Sequence, residues 1–180
     1  MSRRYRICSH AGRIRQYLLN IHPQLNELTN IKIMAHILFI CTGNVSRSAV
    51  AECILRTMVE REGRSDITVA SAGVQNLYGQ SYDPQMIATA AKYGYQMEGH
   101  SRYMTSEMLQ QADFIFVMEH YHYVQVQKEL PYAQWYKLHQ ITKYCYGDEF
   151  NIEDPLYDDK EYDFAFHQIE SCCKIILSRL

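Results

Sequence analysis

"HILFICTGNVSRSAV" (His36–Val50) runs from an apolar stretch through a turn into the start of a helical pattern without a break. His36 to Cys41 is a short run of β-forming residues with almost no polar alternation, as expected of a strand covered on both faces. Gly43 and Asn44 follow, two residue types that tolerate left-handed backbone angles, and a turn built from them can face successive amides inward as an anion nest. Val50, Ala51, Ile54, Leu55, Met58 and Val59 then recur at helical spacing until Gly63. Val45 to Ser48 therefore feed a helix N-terminus, whose unpaired amides and positive dipole end also favour an anion.

The rest of the chain repeats this alternation of strand and helix. "ITVAS" (Ile67–Ser71) reads as a second strand, and Asp83 with Pro84 as the N-cap and first-turn proline of a helix through Ile87, Ala91 and Tyr93. "DFIFVM" (Asp113–Met118) is a third strand, His120 to Leu130 a helix, "YKLHQI" (Tyr136–Ile141) a fourth strand, and Glu161 to Leu180 a final amphipathic helix. Such an order predicts an α/β fold, a parallel sheet with helices on both faces, in which ligands bind beyond the carboxyl ends of the strands. The turn after the first strand is such a place.

Composition narrows the setting. The chain has 180 residues, 47% of them hydrophobic, enough for one substantial core. Its net charge of -2 hides a basic N-terminus, because residues 1–33 carry six Arg or Lys against Glu27 alone, leaving about -7 for the remainder. No nucleic-acid face is expected there. Residues 1–33 read as a poorly ordered extension or the product of an upstream start, and residues 34–180 as the domain. Six cysteines without a C-x-x-C pair or a regular framework argue for a reducing compartment, hence a cytoplasmic protein. No apolar run reaches membrane-span length, so no stable membrane insertion is expected.

The chemistry sits in the turn. Amides and a helix dipole around Cys41 predict a lowered thiol pKa and a thiolate at neutral pH. Arg47 can hold two equatorial oxygens of a phosphoryl group through its planar fork. Ser48 is placed to donate to the Cys41 sulfur as it departs. The bland alternative is a buried cysteine that ends a strand, and the Cys-x5-Arg spacing alone does little against it; Gly43, Asn44 and Ser48 in a strand-turn-helix context do much more.

With these residues in view, "ILFICTGNVSRSAVAE" resembles the active-site segment of the low-molecular-weight protein tyrosine phosphatases, whose pattern is C-x-G-N-x-C-R-S. Further matches run in order through residues 34–180: "SAGV" at Ser71, "DP" at Asp83, "GH" at Gly99, "ADFIFVME" at Ala112 and "NIEDPLYDD" at Asn151. The resemblance implies a four-stranded parallel sheet flanked by helices, Cys41 as nucleophile, Arg47 as phosphate clamp and Asp154 as general acid. It implies no metal and no cofactor. Thr42, Gly43, Asn44, Val45, Ser46, Ser48, Leu77 and Tyr157 would line the substrate site. Asn44, Ser48, Ser71 and His100 would form a hydrogen-bonded group that holds the loop in shape. Asp83-Pro84 competes with Asp154-Pro155 for the acid, but a helix start explains Asp83, whereas Asp154 lies in an acidic loop where proline can fix an exposed carboxyl.

The departures from the pattern have chemical meaning. Ser46 stands where the family usually has a second cysteine, which removes the usual reversible disulfide partner of the nucleophile. Ala49 replaces the usual proline, and "HSRYMT" after Gly99 is one residue shorter than the usual H-x-A-R-x-x-T. Val45 favours an aromatic ester over phosphoarginine. Leu77, with the stretch from Gly79 to His100, resembles bacterial members that act on autophosphorylating tyrosine kinases of polysaccharide export. The expected partner is thus a phosphotyrosine protein, and the expected assembly a monomer or weak dimer.

Other readings are an arsenate reductase on the same loop, a phosphoarginine phosphatase, and a noncatalytic phosphotyrosine-binding module. The first needs two relay cysteines, whereas the stretch from Tyr78 to Tyr144 has none, and Cys172 and Cys173 fall on a helix where packing explains them. His120 and His122, two apart on a helix, share no face and predict no metal site.

Overall fold

The computed structural model describes residues 34–156 and 158–180. The N-terminal extension and Tyr157 lie outside the described residues. Met34–Ser178 and Leu180 form one compact unit.

The elements in chain order are β1 (Ala35–Cys41), α1 (Arg47–Arg61), β2 (Ile67–Gly73), α2 (Pro84–Lys92), α3 (Ser106–Gln111), β3 (Phe114–Val117), α4 (His120–Glu129), a 3-10 turn (Tyr132–Lys137), β4 (Leu138–Gln140), α5 (Ile141–Tyr146) and α6 (Asp159–Arg179). The strands form one sheet in the order β2-β1-β3-β4. All three pairings are parallel, with Phe39 opposite Ser71 on one side of β1 and opposite Phe116 on the other. Alternate residues of β1 serve two cores: Ile37, Phe39 and Cys41 pack with α1 and α6, and Leu38 and Ile40 with Leu109 of α3 and Val126 of α4. That division explains why the β1 sequence has no polar face.

The expected fold class is what is observed, with shifts at the edges. β2 runs on to Gly73, and β4 is shorter than the expected 136–141 because the 3-10 turn precedes it and α5 begins at Ile141. α6 starts two residues earlier than expected, at Asp159, because Asp158 caps it by accepting N–H bonds from Lys160 and Glu161 at 2.9 and 3.0 Å. Asp113 is not in β3; its carboxylate accepts from His36 N at 2.8 Å and ties the start of β3 to β1. α3 and α5, six residues each, are too short to show a period.

β1 is central, and the chain leaves it for β2 on one side and returns as β3 on the other. The carboxyl ends of β1 and β3 thus flank a topological switch point, where an α/β sheet opens a crevice. Cys41 ends β1 there.

Candidate active site

The loop from Cys41 to Arg47 is held by its carbonyls. Cys41 O accepts from Val74 N at 3.0 Å, Thr42 O from Gln75 N at 2.9 Å, and Val45 O from Asp83 N at 2.9 Å. Among the described backbone hydrogen bonds, the N–H groups of residues 42–46 donate to none. Asn44 takes a left-handed φ of 57°, which reverses the amide sequence in the middle of the loop. Gly73 permits the close approach: a Cβ there would meet Gly43 C and Thr42 O at 2.8 Å. Leu77 covers the loop at Gly43, its Cδ1 filling the place where a Gly43 Cβ would stand. Val45 and Thr42 are half-buried, and Ser46, the N-cap of α1, has a buried hydroxyl without a partner.

A hydrogen-bonded chain runs inward from the nucleophile position. Cys41 Sγ lies 3.0 Å from Ser48 Oγ, Asn44 Nδ2 donates to Ser48 Oγ at 3.0 Å and to Ser71 Oγ at 2.8 Å, and Ser71 Oγ donates to Glu52 at 2.6 Å. Arg102 closes the chain, its backbone N–H on Asn44 Oδ1 at 2.9 Å and its guanidinium paired with Glu52.

His100 does not join this group. It is exposed and pairs with Ser81 in an isolated bridge. The cause is local: Gly99 adopts φ 137° beneath the Tyr82 ring, which a Cβ would strike at 2.9 Å. Tyr82 is buried at this place, and burial, with Glu52 beside it, pushes its pKa up. The expectation that His100 completes the scaffold is thus corrected: Arg102 holds Asn44 and Glu52 instead.

Arg47, 1% exposed, is fixed from below. Its Nη1 pairs with Glu119 and donates to Ile152 O at 2.8 Å, and its Nη2 donates to Thr42 Oγ1 at 3.3 Å. Nε lies 3.0 Å from Asp154 Oδ1 without the alignment of a hydrogen bond, so this N–H remains for another acceptor. Burial opposes the charge, but Cys41, Asp154 and Glu119 together hold the guanidinium above its ordinary value.

Asp154 sits at the mouth, its side chain 41% exposed. Pro155 beside it is buried, and Ile152 anchors the same segment by donating its N–H to Met118 O at 2.9 Å. Burial raises the Asp154 pKa above the ordinary carboxylate value; Arg47 opposes this, and Glu119 and Asp83 add to it. Asp83 has both oxygens engaged, by Gln85 N at 2.8 Å and the Tyr162 hydroxyl at 2.6 Å, as its helix-capping role requires.

The structure thus brings Cys41, Thr42, Gly43, Asn44, Val45, Ser46, Arg47, Ser48, Ser71, Leu77 and Asp154 to one crevice. Sequence reasoning missed Glu119, His122, Glu52 and Arg102. Glu119 had a signal, since it follows β3 at the carboxyl end of the strand beside β1, and His122 completes a capping box with it. The other described thiols lie elsewhere: Cys53 donates to Gln96 O at 3.1 Å, Cys145 to Cys172 O of α6 at 3.6 Å, and Cys173 to Ala51 O at 3.7 Å. No group of three potential metal ligands occurs among the described residues.

Comparison with known proteins agrees with this geometry. The family profile described as "Low molecular weight phosphotyrosine protein phosphatase" matches residues 36–180. The low molecular weight protein-tyrosine-phosphatase Etp of Escherichia coli K12 is 34% identical over 114 residues, covering 58% of this chain and 74% of Etp. A crystal structure of a low molecular weight phosphotyrosine phosphatase from Vibrio cholerae O395 superposes with a TM-score of 0.74 at 26% identity, covering 80% of this chain and 95% of that one. The YwlE arginine phosphatase of Geobacillus stearothermophilus shares the fold at a TM-score of 0.72 and 23% identity, covering 80% and 91%. The chain belongs to the low molecular weight phosphotyrosine protein phosphatase family.

Proposed function

We propose that this protein-tyrosine-phosphatase works through a phosphocysteine intermediate. The Cys41 thiolate attacks phosphorus as the bond to the tyrosyl oxygen breaks, and Asp154 gives its proton to that oxygen. The Asp154 carboxylate then takes a proton from water, whose oxygen displaces sulfur; phosphate and the Cys41 thiolate are regenerated, with Ser48 donating to the sulfur. Through both steps the equatorial oxygens rest on the unclaimed amides and on Arg47 Nε and Nη2. No metal or cofactor takes part in this scheme.

One observation carries the reading. Cys41 Sγ and the free Arg47 N–H belong to a single amide-lined loop, with the Asp154 carboxyl 3.0 Å from that same Nε. The raised Asp154 pKa supports its role, because a general acid must hold its proton at working pH. Wild type should hydrolyse p-nitrophenyl phosphate with or without EDTA, and Cys41→Ser should not. Equal rates from both would return the protein to the phosphotyrosine-binding reading.

The substrate in this proposal is a phosphotyrosine protein in the cytoplasm, with an autophosphorylating tyrosine kinase of polysaccharide export as partner. Support for that partner is the likeness around Leu77 to bacterial members. Val45 supports an aryl ester over phosphoarginine, because its branch is wholly apolar and offers the guanidinium of phosphoarginine no polar partner. Turnover of matched phosphotyrosine and phosphoarginine peptides separates the two, and faster release from phosphoarginine contradicts the proposal. No helix among the described residues is long and apolar enough to cross a membrane.

A further inference from the structure

Thr42 Oγ1 meets two donors whose directions can be worked out. Glu119 N–H donates to His122 Nδ1 at 3.1 Å, so a neutral imidazole carries its hydrogen on Nε2. Nε2 lies 2.9 Å from Thr42 Oγ1 and therefore donates to it. Arg47 Nη2 donates to the same oxygen at 3.3 Å. A hydroxyl has two acceptor sites and one hydrogen. With both acceptor sites taken, the Thr42 hydrogen remains, and no described hydrogen bond places it on a protein acceptor.

His122 is 0% exposed, and an apolar residue would fill its place without needing two polar partners. Burial and then Arg47 push its pKa down to about 4, against the pull of Glu119. The imidazole is thus neutral at working pH, as the hydrogen-bond directions require. Thr42 directly follows Cys41, is half-buried, and shares its oxygen with the guanidinium proposed to hold the phosphoryl group.

We propose that the Thr42 hydroxyl donates to a phosphoryl oxygen of the substrate, and that His122, which touches no substrate atom, is the positioning residue that orients this hydroxyl. The proposal rests on the cradle of residues 41–47 as the phosphate site, but not on the phosphocysteine step. Its consequence is a neutral donor beside the charged clamp, aimed at the phosphoryl group whatever ester carries it.

Tungstate binding measured by calorimetry tests this without turnover. Thr42→Val should weaken tungstate roughly 10- to 100-fold, the effect of one hydrogen bond to a charged group, and Thr42→Ser should restore it. His122→Asn keeps an oxygen able to accept Glu119 N–H but does not reach Thr42. It should bring a similar loss, and the double variant should bind no worse than Thr42→Val alone. Wild-type affinity in Thr42→Val overturns the proposal, as do losses that multiply in the double variant. A His122→Asn protein with a lower melting temperature but wild-type tungstate affinity reduces His122 to a helix cap and overturns its positioning role. Hydrolysis retained in Cys41→Ser beside these binding losses would instead overturn the phosphocysteine reading alone.

Discussion

Ser48 Oγ, 3.0 Å from Cys41 Sγ, is a donor to that sulfur because of a carboxylate three hydrogen bonds further in. Glu52 accepts from Ser71, so Ser71 must accept from Asn44; Asn44 spends its other amide hydrogen on Ser48. The Ser48 hydrogen is then left for Cys41 Sγ, with Ala72 O at 3.3 Å the weaker alternative. Glu52, buried and paired with Arg102 and Arg56, thereby sets the polarity of the whole chain.

Ser48→Ala should slow hydrolysis of the phosphoenzyme more than its formation, because the donor matters most when sulfur leaves with its charge. Loss of one hydrogen bond to a charged group corresponds to roughly 10- to 100-fold. Rapid-quench kinetics should show a burst of p-nitrophenol larger than in wild type. A variant that slows the burst and spares the steady state contradicts the assigned direction.

Asp154 and Asp83 should separate by pH. A general acid works below its pKa, so activity should fall as pH rises through the raised Asp154 value. Asp83 adds to that elevation through its charge, and Asp83→Asn should move the alkaline limb to lower pH while keeping the cap on Gln85 N–H, since Asn caps a helix about as well as Asp. Asp154→Asn should abolish the limb and hurt poor leaving groups most. A limb that persists in Asp154→Asn and vanishes in Asp83→Asn reverses the assignment.

One buried and one half-buried histidine should shape acid stability. Burial pushes His122 and His139 down to about 4 each, whereas in the unfolded chain they take up protons near 6.5. The unfolded state therefore binds more protons between those values; stability is full above about pH 6.5 and lost as pH falls toward 4. His139 packs among Phe114, Phe116 and Tyr144, so His139→Phe should flatten the melting-temperature profile in this window. An unchanged slope between pH 6.5 and 4.5 contradicts the shift assigned to His139.

Legibility in the sequence followed the range of the forces involved. β1, its turn and α1 were readable because strand burial, left-handed turn residues and helical period are local properties of consecutive residues. Asp154 was proposed through the resemblance, and its loop beside the buried Pro155 lies next to Arg47, its Oδ1 3.0 Å from Nε. Arg102 was not, since its contact with Asn44 spans 58 residues, far beyond any local pattern. Glu119 and His122 showed only a capping-box spacing, and what gives them their place is the crossing from β2 to β3 that sets them against Arg47. β4 has three residues, too few to carry a pattern of its own beside the 3-10 turn.

The central claim is that Cys41 carries the phosphoryl group between the two steps. Acid-quenched Asp154→Asn protein, mixed with p-nitrophenyl phosphate and digested, should yield the peptide holding Cys41 heavier by one phosphoryl group, with the label lost from Cys41→Ser. A label on any other residue, or turnover without labelled Cys41 at any time point, would contradict it.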